Sequence, residues 1–327
     1  MDNILLLDTS VGSLNKGDEI IMKCVRRQLS GITRQANVFT VPTHLSPFGW
    51  FQVMRDSLRV QFYTRAKYKF VGGTNLLTMD MFTHFPQWNI NVFNYRPLQG
   101  SILLGVGAGK GEKIKRYTKM LYRKVLSHEY VHSVRDERTW RFVTDLGLKA
   151  LNTGCPTMWA LTPEHCQDIP KGKSDAVVFT LTDYARAPRQ DQLLIDLLLR
   201  SYRKVYFWVQ GADDYAYFHT LSNTEGIHVI PPSLEEYEAV LSTDVDFVGT
   251  RLHAGIYAMR HKKRSIIIAV DERARGMSET YALNTVDRTD LAGLEAMIHS
   301  EFATNVRINL EAIQAWLDQF QQREYRS

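Results

Sequence analysis

Cysteine is scarce in this chain. Only Cys24, Cys155 and Cys166 occur, too few and too scattered for a disulfide framework or a thiolate zinc site, and such usage fits a reducing compartment. Long apolar runs are missing too: none approaches the roughly 18–20 residues that a membrane-spanning helix needs. The opening MDNILLLDTS lacks the basic start and small-residue cleavage pattern of a secretory leader. The expected setting is therefore cytoplasmic, with peripheral attachment at the inner face of the cell membrane left open. An excess of one charge is also lacking. Forty basic against 35 acidic residues leave a formal +5, compatible with anionic substrates or an anionic lipid surface. Basic and aromatic residues do not interleave as in a nucleic-acid module, so no nucleic-acid partner is expected. The one dense basic run, RHKKR at 260–264, closes a predicted helix, where cations complement the dipole or face solvent.

What is present is strand–helix alternation, in two rounds, across 327 residues. In the first round, apolar stretches at 4–7, 38–41, 69–73, 101–105 and 130–134 read as strands. Helical patterns at 19–29, 50–63, 117–126 and 137–146 lie between and after them. A polar linker with Pro163, Pro170 and Gly172 follows. The second round places strands at 176–181, 205–210, 227–230, 245–249 and 265–270, then helices near 291–299 and 306–320. The fold class expected is α/β, two Rossmann-like βα domains facing across a cleft. The domains are read as 1–160 and 174–303, with residues 304–327 forming a C-terminal helix that packs back on the first.

Several glycine segments imitate nucleotide motifs and fail. Gly12 and Gly17 have P-loop separation, but Asp18 stands where the phosphate lysine belongs. Two readings of that loop stay open: a ligand-facing backbone at a helix N-terminus, or a structural turn. In FVGGTNL, Gly73 and the neighbouring Asn75 sit at a strand tip where backbone can approach a ligand or another loop. GVGAGKG at 105–111, with Gly107 at its centre, lacks the spacing of a dinucleotide fingerprint and is expected as a flexible strand end facing the cleft. The aromatic stretch 78–98 reads equally as a sugar-binding wall or as packing.

The chemistry concentrates at strand ends. Residues 244–276 form strand, turn, helix and strand, delivering Arg251 and His253 at the first tip and Asp271, Glu272, Arg273 and Arg275 at the second. Arg135 stands at another strand end, beside a helix capped by Asp136. It reads either as a partner of Asp136 or Glu137 or as a clamp for a carboxylate or phosphate. Cations converging in one pocket point to a small anionic ligand. His253 is the general acid/base candidate, since an ordinary histidine titrates near neutrality; the bland alternative is a hydrogen bond to the following turn. Histidines are dispersed, and Asp244 and Asp246 lie on or beside a predicted buried strand, so no metal site is expected.

SVRDERT, then GCPTMW, then GTRLHAGIYAM and a hydrophobic strand ending in VDER, together resemble the polysaccharide pyruvyltransferases. NKGDE, FVGGTNLL and GVGAG are similar to that family as well. The resemblance implies a GT-B-like fold and metal-independent transfer of a pyruvyl group from phosphoenolpyruvate to a hexose of a cell-surface polysaccharide or its lipid-linked precursor. The product would be a cyclic ketal across two hydroxyls, with phosphate released and no further cofactor. It implies substrate roles for Arg135, Arg251, His253 and Arg273, with Asp18, Gly17, Gly73, Asn75 and Gly107 around them. His253, Arg135 and Arg251 would be catalytic. The family usually has lysine where Arg273 stands; arginine keeps the charge but gives up no proton near neutral pH. Ser265 replaces a frequent proline. The rival readings are a GT-B-like glycosyltransferase with a nucleotide-sugar donor and a catalytically silent anion- or sugar-binding homologue. The acceptor sugar and the oligomeric state are not legible.

Overall fold

Every strand of the two large sheets pairs in parallel, as apolar runs separated by helices demand. This computed structural model describes residues 1–83, 87–111 and 113–321, with the side chains of Glu272 and Arg273 outside the description. The chain divides into two units. One comprises Met1–Ser13, Ile21–Trp159 and Asn309–Ser327, the other Leu14–Ile20 and Ala160–Ile308.

In the first unit the strands are β1 (Asp2–Asp8), β2 (Ala36–Pro42), β3 (Tyr68–Gly72), β4 (Asn75–Leu77), β5 (Ser101–Leu104), β6 (Gly107–Ala108), β7 (His132–Val134) and β8 (Ala150–Asn152). The main sheet runs β2-β1-β3-β5, while β4 pairs with β6 and β7 with β8. The order reverses direction between β1 and β3. The interiors of β1 and β3 are buried on both faces, which explains why their sequences show continuous apolar runs rather than alternation. On one face lie Ile4, Leu6, Phe70, Trp159, Trp316 and Phe320; on the other lie Leu5, Leu7, Val71, Trp88 and Tyr122. The closing helix, Leu310–Gln321, is capped by Asn309 and supplies Trp316 and Phe320.

The second unit holds β9 (Ala176–Thr180), β10 (Lys204–Trp208), β11 (His228–Ile230), β12 (Asp246–Gly249), β13 (Ser265–Ala269) and β14 (Thr285–Asp287). Their order, β11-β10-β9-β12-β13-β14, is the doubly wound Rossmann arrangement. Its crossing point falls between β9 and β12. Glycines allow the close layers here: a Cβ on Gly255 would come within 2.7 Å of Ile267 on β13. Among the described residues no helix is long and apolar enough to cross a membrane.

Three local expectations are corrected. The pattern at 50–63 is not one helix but two, Trp50–Met54 and Leu58–Thr64, because Asp56 takes a left-handed conformation (φ 45°) and Ser57 caps the second. Residues 105–108, expected as a flexible tip, are buried in backbone ladders: Gly105 donates to the Ser133 carbonyl at 3.0 Å and Gly107 to that of Thr74 at 2.8 Å. Glycine serves tight approach there rather than mobility. Arg264, read as part of a solvated basic run, is buried on Asp246 at 2.9 Å and also donates to the carbonyls of Met297, Ile298 and Ser300. Residues after Asp271, to which the sequence pattern assigned no element, form a helix, Glu272–Tyr281, capped by the Asp271 carboxylate on the Ala274 amide at 2.8 Å.

Candidate functional site

In parallel sheets ligands gather beyond the carboxyl ends of strands where the winding reverses. In the second unit that point is the gap between β9 and β12. The tips there are joined by threonines. Thr180 accepts from the Arg251 amide at 3.2 Å, and the Thr182 and Thr250 hydroxyls lie 2.8 Å apart. Gly249 is required at this spot, since a Cβ would meet the Thr180 hydroxyl at 2.4 Å.

Arg251 is the N-cap of the helix Leu252–Arg260, which brings His253 into its first turn, buried. The Arg251 side chain is only 3% exposed. Its Nε donates to the Leu181 carbonyl at 2.9 Å and to Asp214 at 3.2 Å, and its terminal nitrogen reaches Asp183 at 3.0 Å and Asp214 as well. Tyr184 lies over the guanidinium, 5.1 Å from ring centre to Cζ. Asp214, fully buried, also takes the amides of Asp183 and Gly211 at 3.0 and 2.7 Å. The Arg251 guanidinium sits between two carboxylates and ties the turn that carries His253 to the tips of β9 and β10. Gly211 passes beneath it, where a Cβ would fall 2.1 Å from the guanidinium.

Residues Leu14–Ile20 group with this second unit rather than with the rest of 1–160. The reason is an antiparallel bridge of Asn15 with Gly211, in which Lys16 donates to the Gln210 carbonyl at 2.9 Å and Ala212 to that of Leu14 at 3.0 Å. Asn15 accepts from the Gly17 amide and from the Gln210 side chain, at 2.9 and 2.8 Å. A Cβ on Gly17 would press on both side chains, at 3.0–3.1 Å. Asp18 is buried in the following helical turn. Of the two readings left open for this loop, the structural turn accounts for these contacts.

The first unit gathers Arg135, Asn75, Gly107 and Gly73. Arg135, 5% exposed, leaves the end of β7 and donates to the Asn75 side-chain oxygen and to Asp136 at 3.3 Å. Gly107 lies flat against it; a Cβ there would meet Arg135 Nε at 2.3 Å. Gly73 lets the tips of β3 and β5 touch, since a Cβ would be 2.1 Å from the Gly105 oxygen. Asp136 also caps the helix Glu137–Asp145 through the Thr139 amide at 2.8 Å. Beyond β1, at the reversal point of this sheet, the buried Thr9 hydroxyl has no hydrogen-bond partner among the described residues. The aromatic stretch divides: Trp88 is core, whereas Phe82 is exposed and packs on Tyr117 at 4.6 Å. Phe85 and the side chain of Arg273 lie outside the described residues.

Sequence reasoning missed Asp183, Asp214, Gly211 and the threonines of the second unit. A usable signal existed. Once the Rossmann order is assumed, β9 lies between β10 and β12, so the tips TLTD and GADD fall on the side of β12 that carries TRLH.

Two parallel α/β units of this kind define a GT-B-like protein of two Rossmann-like domains. Its fold is shared with Methanocaldococcus jannaschii UDP-GlcNAc 2-epimerase in complex with UDP-GlcNAc and UDP, at TM-score 0.54 and 11% identity over 98% of this chain and 100% of the other. A co-structure of S. aureus MnaA with UDP gives TM-score 0.52 and 9% identity over 99% and 97%. A search of curated proteins by sequence found no match. The model of one family, polysaccharide pyruvyl transferase, matches residues 15–272. The chain belongs to that family.

Proposed function

We propose that this transferase moves a pyruvyl group from phosphoenolpyruvate to two hydroxyls of a hexose, in a cell-surface polysaccharide or its lipid-linked precursor. The observation that carries the reading is the family match, whose span includes Arg135, Arg251 and His253. Proton transfer to the methylene carbon makes the central carbon electrophilic. A sugar hydroxyl adds there and loses its proton; a second hydroxyl then displaces phosphate, closing the ketal.

The roles divide by environment. Arg135 is assigned to the substrate anion, as a guanidinium at the end of β7 oriented by Asn75 and Asp136. Arg251, neutralised by Asp183 and Asp214, is a positioning residue for the turn bearing His253. His253 transfers the proton, a contribution typically worth about 10²–10⁴ in rate. Arg273 is assigned to substrate charge rather than to proton donation.

The test is incubation with phosphoenolpyruvate and a panel of lipid-linked or aryl hexosides, reading phosphate release together with the mass of the ketal. Release is expected to require an acceptor and to fall at least about 100-fold in His253→Ala. Full activity in a folded His253→Ala would overturn the mechanism. Turnover of a nucleotide sugar without consumption of phosphoenolpyruvate would replace the reading with glycosyl transfer.

A further inference from the structure

Several of the most exposed apolar side chains of the first unit fall in one short stretch. In the helices Trp50–Met54 and Leu58–Thr64, Val53 and Val60 face the core. Outward stand Trp50 (48% exposed), Phe51 (56%), Met54 (66%) and Leu58 (85%), with Leu45 just upstream. Trp50 and Phe51 pack on each other, ring centres 3.9 Å apart. Exposed Phe93 joins the same patch, since it and Trp50 line a cavity of about 460 Å³ with Phe48 and Asn91. A soluble surface helix would show polar residues at these positions; a contiguous apolar patch marks an interaction surface.

Charge decides what it meets. Residues 45–65 carry Arg55, Arg59 and Arg65 against a single acid, Asp56. All three arginines are exposed, and Arg55 and Arg59 directly follow Met54 and Leu58 in the chain. A second copy of the chain, docking through the same face about a twofold axis, would bring these cations against each other. An anionic lipid surface would attract them while its interfacial zone accepts Trp, Phe, Met and Leu. The platform is held in place by buried Lys69 on β3, whose ammonium bonds the carbonyls of Thr64 and Gln99 at 3.0 and 2.7 Å.

We propose that this helix pair is an interfacial anchor, seating the first unit on an anionic bilayer through Trp50, Phe51, Met54 and Leu58 with Arg55 and Arg59 at their rim. The inference does not rest on the reaction assigned above. Flotation of the full chain tests it, with vesicles of phosphatidylcholine alone and of phosphatidylcholine mixed with phosphatidylglycerol. Binding is expected only to the anionic vesicles, weakening as salt rises. Phe51→Ser with Leu58→Ser should lower it on the order of tenfold or more. Arg55→Gln and Arg59→Gln should each lower it roughly fivefold. Thermal midpoints should stay near wild type, because the replaced groups are solvent-facing. Failure of the wild type to float, or equal flotation of the Ser variant, overturns the anchor. So does sedimentation showing a dimer that the Ser variant dissolves.

Discussion

Arg251 and Asp214 show how a charge at a strand tip can be structural without losing relevance to chemistry. Both are buried, and each is the other's main compensation. Removing one leaves a charge in a low-dielectric site, a change that typically costs about 3–5 kcal/mol. Replacing both with apolar residues of similar volume removes the buried pair, although the amides of Asp183, Gln210 and Gly211 then lose their acceptor. Asp214→Leu and Arg251→Met are therefore each expected to lower stability by roughly that amount, while the double variant loses less than the sum of the two. Chemical denaturation of the four proteins checks this; additive losses would show that the pair is not coupled. Phosphate release should stay depressed in the double variant, because the His253 turn is then no longer tied to Leu181, Asp183 and Asp214. The sequence made Arg251 visible but not its partners. A cation at a strand tip reads as a ligand for an anion until the neighbouring tips are placed beside it.

At the scale of elements, β5 and β7 are joined partly by a side chain. The amide of Leu103 donates to Nδ1 of His132 at 3.2 Å, so Nδ1 must accept and Nε2 carries the proton toward the Ser127 carbonyl at 2.9 Å. Burial first of all pushes this imidazole from an ordinary 6.5 down to about 4. The ring is thus neutral in the fold. Below the ordinary value the unfolded chain takes up a proton that the native ring refuses, so stability falls as pH drops from 6.5 toward 4 and this contribution levels off below. The full effect is about 3 kcal/mol. His132→Gln, which keeps a donor and an acceptor but does not titrate, should flatten that part of the stability–pH curve; an unchanged slope in urea unfolding would count against it. Strands of this kind were legible because they are unbroken apolar runs. The helix Glu272–Tyr281 and β14 were not: ERARGMSETY mixes Gly276 and Ser278 into a charged stretch, and TVD is three residues long. The ladder of β4 with β6 was hidden for another reason, since its residues look like a glycine loop until Thr74 and Leu77 carbonyls are seen to take the Gly107 and Gly109 amides.

At the scale of the molecule, chain order and architecture part company at the C-terminus. The sequence pattern of the last helix gave its apolar stripe, Ile313, Trp316, Leu317 and Phe320, but periodicity names a face and not the surface it covers. The structure counts Asn309–Ser327 with the first unit, although the residues just before belong to the second. Trp316 is fully buried, its indole donates to the Val131 carbonyl at 2.8 Å, and Gln319 pairs with both the amide and the carbonyl of Val131. Phe320 meets Phe70 at 5.2 Å and Tyr130 at 5.6 Å between ring centres. Truncating a buried tryptophan typically costs about 3–5 kcal/mol, through lost transfer energy and the cavity left behind. Trp316→Ala should therefore weaken β1 and β3, hundreds of residues away in sequence, more than the neighbouring strands β13 and β14. Native-state amide exchange reads this directly: protection of Leu6 and Phe70 is expected to drop, with β9 and β12 as the internal reference. A loss confined to β9–β14 would mean that the helix stabilises the unit it follows in the chain rather than the one whose core it fills.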